Sequence, residues 1–187
     1  GKPLVFDWAI HIPVDKENKY YHTAWRRSGD FPGGFLLDGG VHHVAAIRTV
    51  VGEIVEVTAM VTQHSPDLPP ADTLAATLKM ANGAIGTYTI TYAGGSHQLQ
   101  SLNVLCERGI MHVNRDQFRA LWGDDQIMPV KVAPHGVREE FRALAESIRE
   151  GKPHKNTPEQ ALQDVAVVEA MLESARTGQR VMVEQFV

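Results

Sequence analysis

The chain has 187 residues, 43% hydrophobic and 21% charged, and its 18 Lys+Arg against 22 Asp+Glu leave a formal net charge of -4. That suffices for one domain with a sizeable core. It offers too little clustered positive charge for a nucleic acid or an anionic membrane surface, and its single cysteine, Cys106, excludes a disulfide framework or multi-thiolate metal site.

The lone cysteine also points to a reducing, cytoplasmic compartment. No apolar run nears the ~18 residues of a membrane span, and the first residue, Gly1, suits a chain trimmed upstream. From Leu4 to Ile12 the sequence LVFDWAIHI alternates, with Leu4, Phe6, Trp8, Ile10 and Ile12 on one face and Asp7 and His11 on the other. Asp15 to Gly34 follows neither helical nor strand period and reads as a long loop, uncommon unless functional. Phe35-Leu36-Leu37 then reads as a short strand delivering Asp38, and Gly39-Gly40 as a tight turn into a helix from Val41 to Val51 that stops at Gly52.

Between Ile54 and Val132 come short alternating runs: IVEVTAMVT, DTLAATLKM, AIGTYTITY, LQSLNVLC, IMHVN, QFRALW and IMPVKV. Ala81-Asn82-Gly83 is a hairpin signal between two of them. With no crossover helix among the runs, an antiparallel meander is expected. Leu74, Ala76, Leu78 and Met80 form a core face, and Thr73, Ala75, Thr77 and Lys79 an open one, a candidate subunit interface. Val137 to Glu150 places Phe141, Leu144, Ala145 and Ile148 on one helical face. Thr157-Pro158-Glu159-Gln160 is a capping box opening a last helix, with a stripe of Leu162, Val165, Val168, Met171, Leu172 and Ala175 ending at Gly178. A final strand spans Arg180 to Val183. The sum is a single α+β domain over residues 1–187, a predominantly antiparallel sheet with helices packed on one face.

The segment richest in chemistry is Pro32-Gly33-Gly34-Phe35-Leu36-Leu37-Asp38-Gly39-Gly40-Val41-His42-His43. Asp38 and His42, four apart, fall on one side of the helix entrance. A carboxylate beside an imidazole favours the protonated ring and fixes its orientation, so the pair can act as an acid/base dyad. Equally, Asp38 can be a plain helix cap and His42 a satisfied histidine. Both are possible metal ligands, but adjacent His42 and His43 diverge by about 100° and no third ligand is placed by spacing, so no metal is expected. His64, His97, His112, His135 and His154 are scattered without ligand spacing, and Cys106 reads as a small buried hydrophobe.

Trp25-Arg26, the glycine pair, Leu36-Leu37-Asp38-Gly39-Gly40-Val41-His42, Arg48 and Gly52-Glu53 resemble the C-terminal domain of the glucose–fructose oxidoreductase/inositol dehydrogenase/MocA family. The resemblance continues through Leu102-Asn103-Val104-Leu105-Cys106-Glu107-Arg108-Gly109, Gly151-Lys152-Pro153, Thr157 to Leu162 and Ser174 to Val181. It covers nearly the whole chain in the family's order. The resemblance implies a two-domain oxidoreductase using NAD or NADP on a sugar, polyol or related hydroxy compound. Asp38 and His42 fall on its catalytic Asp and His, and the sheet on its usual oligomer interface, implying at least a homodimer. Arg26 resembles the family's arginine and, with Trp25, Tyr20 and Tyr21, is a candidate substrate contact. Asp7 and His11 are candidates from the polar strand face. Surface, packing or interface roles are the alternatives for all of these.

Ala45 stands where the family often has an acidic residue, and the glycine triplet is shortened. The chain has no G-x-G-x-x-G and no Glu-Lys-Pro segment, which Gly1-Lys2-Pro3 only mimics. The expectation is therefore a substrate-binding half whose N-terminal dinucleotide-binding domain is absent, inactive and without cofactor by itself. The other reading is a non-enzymatic small-molecule-binding or dimerisation module of the same fold.

Overall fold

The computed structural model describes residues 1–95, 97–114, 117–122, 126–127, 130–131, 136–154 and 156–187. The first strand, β1 (Pro3–His11), buries Phe6 and Ile10 and leaves Val5 and Asp7 open, the alternation read from sequence except at Leu4, which is exposed beside a register shift. The long loop that follows contains one short helix, α1 (Ala24–Arg27).

Helix α2 (Phe35–Val50) begins where a strand and turn were expected. The turn is made six residues earlier, by Gly33 and Gly34 at φ +70° and +53°. A Cβ on Gly34 would stand 2.5 Å from the Pro69 carbonyl oxygen. Gly39 and Gly40 lie inside the helix, where glycine is unfavourable by about 1 kcal/mol relative to Ala. A Cβ on Gly39 would collide with the Tyr92 hydroxyl, whereas one on Gly40 would make an ordinary contact with Val168 at 3.4 Å. The helix ends as expected, with Gly52 at φ +128°.

Strands β2 (Ile54–Thr62), β3 (Thr73–Met80), β4 (Ile85–Thr91), β5 (Leu99–Cys106), β6 (Gly109–Asn114) and β7 (Gln117–Trp122) reproduce the alternating runs within a residue or two. The last run resolves into β8 (Gln126–Ile127) and β9 (Val130–Lys131), both paired with β7. Its residues 128, 129 and 132 lie outside the described residues, as does His135. A final strand, β10 (Val181–Met182), pairs with β2.

The order β10-β2-β3-β4-β1-β5-β6-β7-β8 corrects the simple meander. β1 is wedged between β4, to which it is parallel, and β5, to which it is antiparallel. The crossover that a parallel pair requires precedes the runs: the loop and α2 carry the chain from β1 to β2. The sheet remains mostly antiparallel and the fold is α+β.

Helix α4 (Pro158–Thr177) has the expected caps. Thr157 accepts from the Gln160 N–H, and Gly178 closes the helix at φ +68°. Its buried face is rotated from the apolar stripe: Val168 and Met171 are buried, Leu162 is exposed, and Gln163, Asp164 and Ser174 are buried instead. Each polar group has a partner. Gln163 Nε2 donates to the Glu184 carbonyl, and Ser174 Oγ accepts from the Ala59 N–H at 3.0 Å and donates to the Gln179 carbonyl. Helix α3 (Gly136–Glu150) forms over the expected span but buries none of its residues. The core thus sits between α2, α4 and one face of the sheet, with the other face open. Among the described residues no helix is long and apolar enough to cross a membrane.

Candidate active site

The first turns of α2, helix α1, the loop after β1 and the end of β4 meet around a cavity of about 270 Å³. Asp38 and His42 are successive positions on the α2 face that borders it, as their spacing requires. From α1, Arg26 reaches across the cavity to Asp38: Nε donates to Oδ2 at 2.8 Å and Nη2 to Oδ1 at 3.1 Å. This bidentate fork is the strongest geometry available to the pair. Its position is set from below, since the guanidinium carbon lies 4.0 Å from the Trp25 ring centroid and 4.9 Å from that of Tyr20, and Nη1 donates to Thr23 Oγ1 at 3.3 Å.

Among the described residues the Asp38 carboxylate bonds to Arg26 and not to His42, which stands exposed at the rim with its ring uncommitted. His42 also borders a second, polar cavity of about 550 Å³ on the other side of α2. The floor of that cavity is an ion-pair cluster. Arg48, almost wholly buried, donates to Glu53 and to Asp164 and Gln160 of α4. Burial raises the Asp164 carboxyl above the usual range, against the pull of its bond to Arg48.

One residue on, His43 lines the same cavity from its sheet side. Its ring lies edge-on to Trp8 at 5.6 Å, and Nδ1 shares a 3.0 Å hydrogen bond with the Tyr88 hydroxyl. Burial lowers its pKa to about 4, with the neighbouring His42 charge adding, so it is neutral at pH 7. Both histidines thus border the cavity, His42 exposed at its rim and His43 half-buried against Trp8 and Tyr88.

Tyr92 is the wall residue that sequence reasoning missed. It is buried, its ring is 5.5 Å from that of Phe35, and its hydroxyl, lodged against Gly39, has no hydrogen-bond partner among the described residues. Burial raises its pKa and the Asp38 charge adds, so the hydroxyl stays protonated as a donor. The only local sign was its place on the core face of β4's alternation, with Tyr88 and Ile90.

Of the other candidates, Tyr20 and Arg26 line the cavity, while Trp25 stacks on Arg26 without lining it. Tyr21 turns away and donates to Asp67 Oδ2 at 2.8 Å beneath Arg27. Asp7 and His11 lie on the open face of the sheet, opposite the helices. There Asp7 accepts from Asn103 Nδ2, whose amide oxygen meets His112 Nδ1. Cys106 is half-buried against the core, and among the described residues no group of three or more His, Cys, Asp or Glu is gathered to hold a metal ion.

Residues 1–183 match the family model described as the oxidoreductase family, C-terminal alpha/beta domain. Dehydrogenase FPY6 of Fusarium mangiferae is 29% identical over 94% of this chain and 53% of its own length; an uncharacterized protein of Saccharomyces cerevisiae is 31% identical over 99% and 58%. The chain therefore spans little more than half the length of the curated relatives it matches. An oxidoreductase from Thermotoga maritima superposes with a TM-score of 0.86 at 34% identity, covering 100% of this chain and 56% of that one. A levoglucosan dehydrogenase solved with NADH shares the fold at a TM-score of 0.84 and 21% identity, over 99% and 59% of the two chains.

Proposed function

The chain is a C-terminal alpha/beta domain of the glucose–fructose oxidoreductase/inositol dehydrogenase/MocA oxidoreductase family, and from that premise we propose that it is the substrate half of an NAD(P)-dependent oxidoreductase acting on a sugar, polyol or related hydroxy compound. The observation that carries this reading is the convergence of Arg26, Asp38 and an uncommitted His42 on one small cavity. Oxidising a hydroxyl to a carbonyl needs a base at the oxygen, and His42 at the rim is that base. Arg26 and Asp38 hold each other, so a substrate hydroxyl would meet the remaining lone pairs of the Asp38 carboxylate beside the guanidinium. Tyr20 lines the cavity and offers an aromatic ring to the apolar side of a substrate.

The nicotinamide nucleotide would supply the hydride acceptor, and this chain's residues do not fit it. The helix whose first turn faces the cavity carries Asp38 there, and a carboxylate at that position repels the phosphates a helix N-terminus would otherwise attract. Relatives of nearly twice the length leave room for a nucleotide-binding half elsewhere in the polypeptide. We assign it to an N-terminal domain, and the protein to the cytoplasm.

The open sheet face suits a second copy of the chain. In register across it run Ile85, Val5, Leu105, Ile110 and Leu121, all exposed, a continuous apolar row of the kind that marks an interface. The capture of Asp38 by Arg26 favours the second reading, a binding module without catalysis. His42→Ala in the full-length protein decides between them: turnover of hydroxy compounds should fall by about two to four powers of ten with NADH binding retained. Unchanged turnover removes His42 as the base, and a wild type that binds ligand but never reduces NAD or NADP establishes the binding module.

A further inference from the structure

His43 stands where α2 meets the sheet. Because β1 is wedged beside β4, Trp8 and Tyr88 are register partners, and the His43 ring packs over the pair, 5.6 Å from the Trp8 ring and 6.1 Å from that of Tyr88. Tyr88 is 1% exposed, and among the described residues its hydroxyl bonds to His43 Nδ1 alone, at 3.0 Å. A buried phenol proton needs an acceptor, and a neutral imidazole offers one bare nitrogen and one N–H. Tyr88 therefore donates, Nδ1 accepts, and the ring proton is carried on Nε2. Burial lowers the ring's pKa to about 4, so this neutral tautomer is the species present at pH 7.

Nε2 has no hydrogen-bond partner among the described residues. The one polar side-chain atom among them that is both unpartnered and shut away from the surface is the Tyr92 hydroxyl. Nε2 of the half-buried His43 is therefore accessible, and the space its ring borders is the cavity of about 270 Å³. Its N–H is an uncharged donor held in place from behind, which a ligand oxygen can use without first paying to order it. His42 and His43 are adjacent on the helix and diverge by about 100°, one at the rim and one on the sheet side, so they do not converge on one oxygen atom. With His42 at the hydroxyl that is oxidised, His43 serves another. A hydroxyl suits it, since one that accepts from Nε2 can also donate to the free lone pairs of Asp38 in the same wall.

We infer that His43 Nε2–H is a substrate-binding donor that selects for a second hydroxyl on the substrate, so that diols, sugars and cyclitols are accepted and simple alcohols refused; this rests on the oxidoreductase reading above. Two variants of the full-length protein separate the ring nitrogens: Asn reproduces the Nδ1 acceptor without the Nε2 donor, and Gln the reverse. With NAD or NADP and D-glucose, D-xylose or myo-inositol as probes, His43→Asn should lower kcat/KM about tenfold on the best of the three, chiefly through KM, and His43→Gln less than about threefold. On the deoxy analogue that lacks the bonded hydroxyl, wild type and His43→Asn should agree within about twofold. A greater loss in His43→Gln than in His43→Asn, or equal losses on every deoxy analogue, would overturn the inference, because a ring that only packs against Tyr88 gives those results. Histidine nitrogen NMR of the unliganded protein at pH 7 checks the tautomer without any substrate: Nε2–H is expected, and Nδ1–H would overturn the donor. NADH titration separates the two levels. A wild type that binds no NADH overturns the oxidoreductase reading and this inference with it. One that binds NADH but oxidises none of the three probes, or whose His43→Asn variant is unimpaired, removes the hydroxyl-reading donor alone.

Discussion

Helices α3 and α4 invert the usual relation between pattern and burial. α3 has a clean apolar stripe and charged flanks, yet its stripe faces solvent. α4 has the weaker pattern, with Gln163, Asp164 and Ser174 on its inner face and Leu162 outside, yet it is packed against α2 and β2. An apolar stripe records that a surface is covered by something, without saying by what. A polar residue on a buried face is tolerated when a partner reaches it. Arg48, 116 residues away in sequence from Asp164, is such a partner. The same contrast appears at single-residue scale in α2, where His42 is exposed and His43 is folded into the sheet.

The contrast breaks most visibly at Asp164. Asp164→Ala leaves the Arg48 guanidinium buried with Glu53 as its remaining carboxylate, and should cost about 3 kcal/mol in urea unfolding at pH 7; a loss no larger than that of an ordinary surface substitution would mean that the buried polar face of α4 is not paired as described. Next comes His43. Its folded pKa of about 4 lies below the ordinary 6.5, so the unfolded chain takes up the proton first as pH falls. The neutral ring's contribution is intact above pH 6.5 and is lost progressively toward pH 4. Between pH 7 and 5 the loss is about 2 kcal/mol, and it should be missing from the pH dependence of His43→Phe; identical slopes for the two proteins would show that the ring is solvated. Smallest is Phe141→Ser in this chain alone, expected within about 0.5 kcal/mol of wild type by the same unfolding measurement. A large destabilisation there would place the α3 stripe inside this domain's own core.

Much of the architecture was legible because its causes are local. Thr73 to Met80 alternates strictly, and its burial alternates with it. Gly52 and Gly178 end helices through positive φ. Asp38 and His42 share a helix face wherever that helix starts. The start of the helix is not legible because Gly39-Gly40 has the local signature of a turn, while the cause of Gly39 lies in Tyr92, more than fifty residues downstream. Arg26 was named for its resemblance to the family's arginine, but nothing in a loop without period announced that its fork would take both oxygens of Asp38. Tyr92 went unnoticed because a tyrosine on the inward face of a strand is ordinarily core, and only its unpartnered hydroxyl beside Asp38 distinguishes it.

The sequence by itself determined the strand and helix content, the helix stops, the α+β class and the shared face of Asp38 and His42, all set by periods and backbone preferences within a few residues. Tertiary structure alone decided that β1 enters the middle of the sheet, that Asp38 is held by Arg26 while His42 stays uncommitted, and that α3 is left uncovered. These depend on which surfaces meet, and such contacts are selected by shape and charge between segments far apart in the chain.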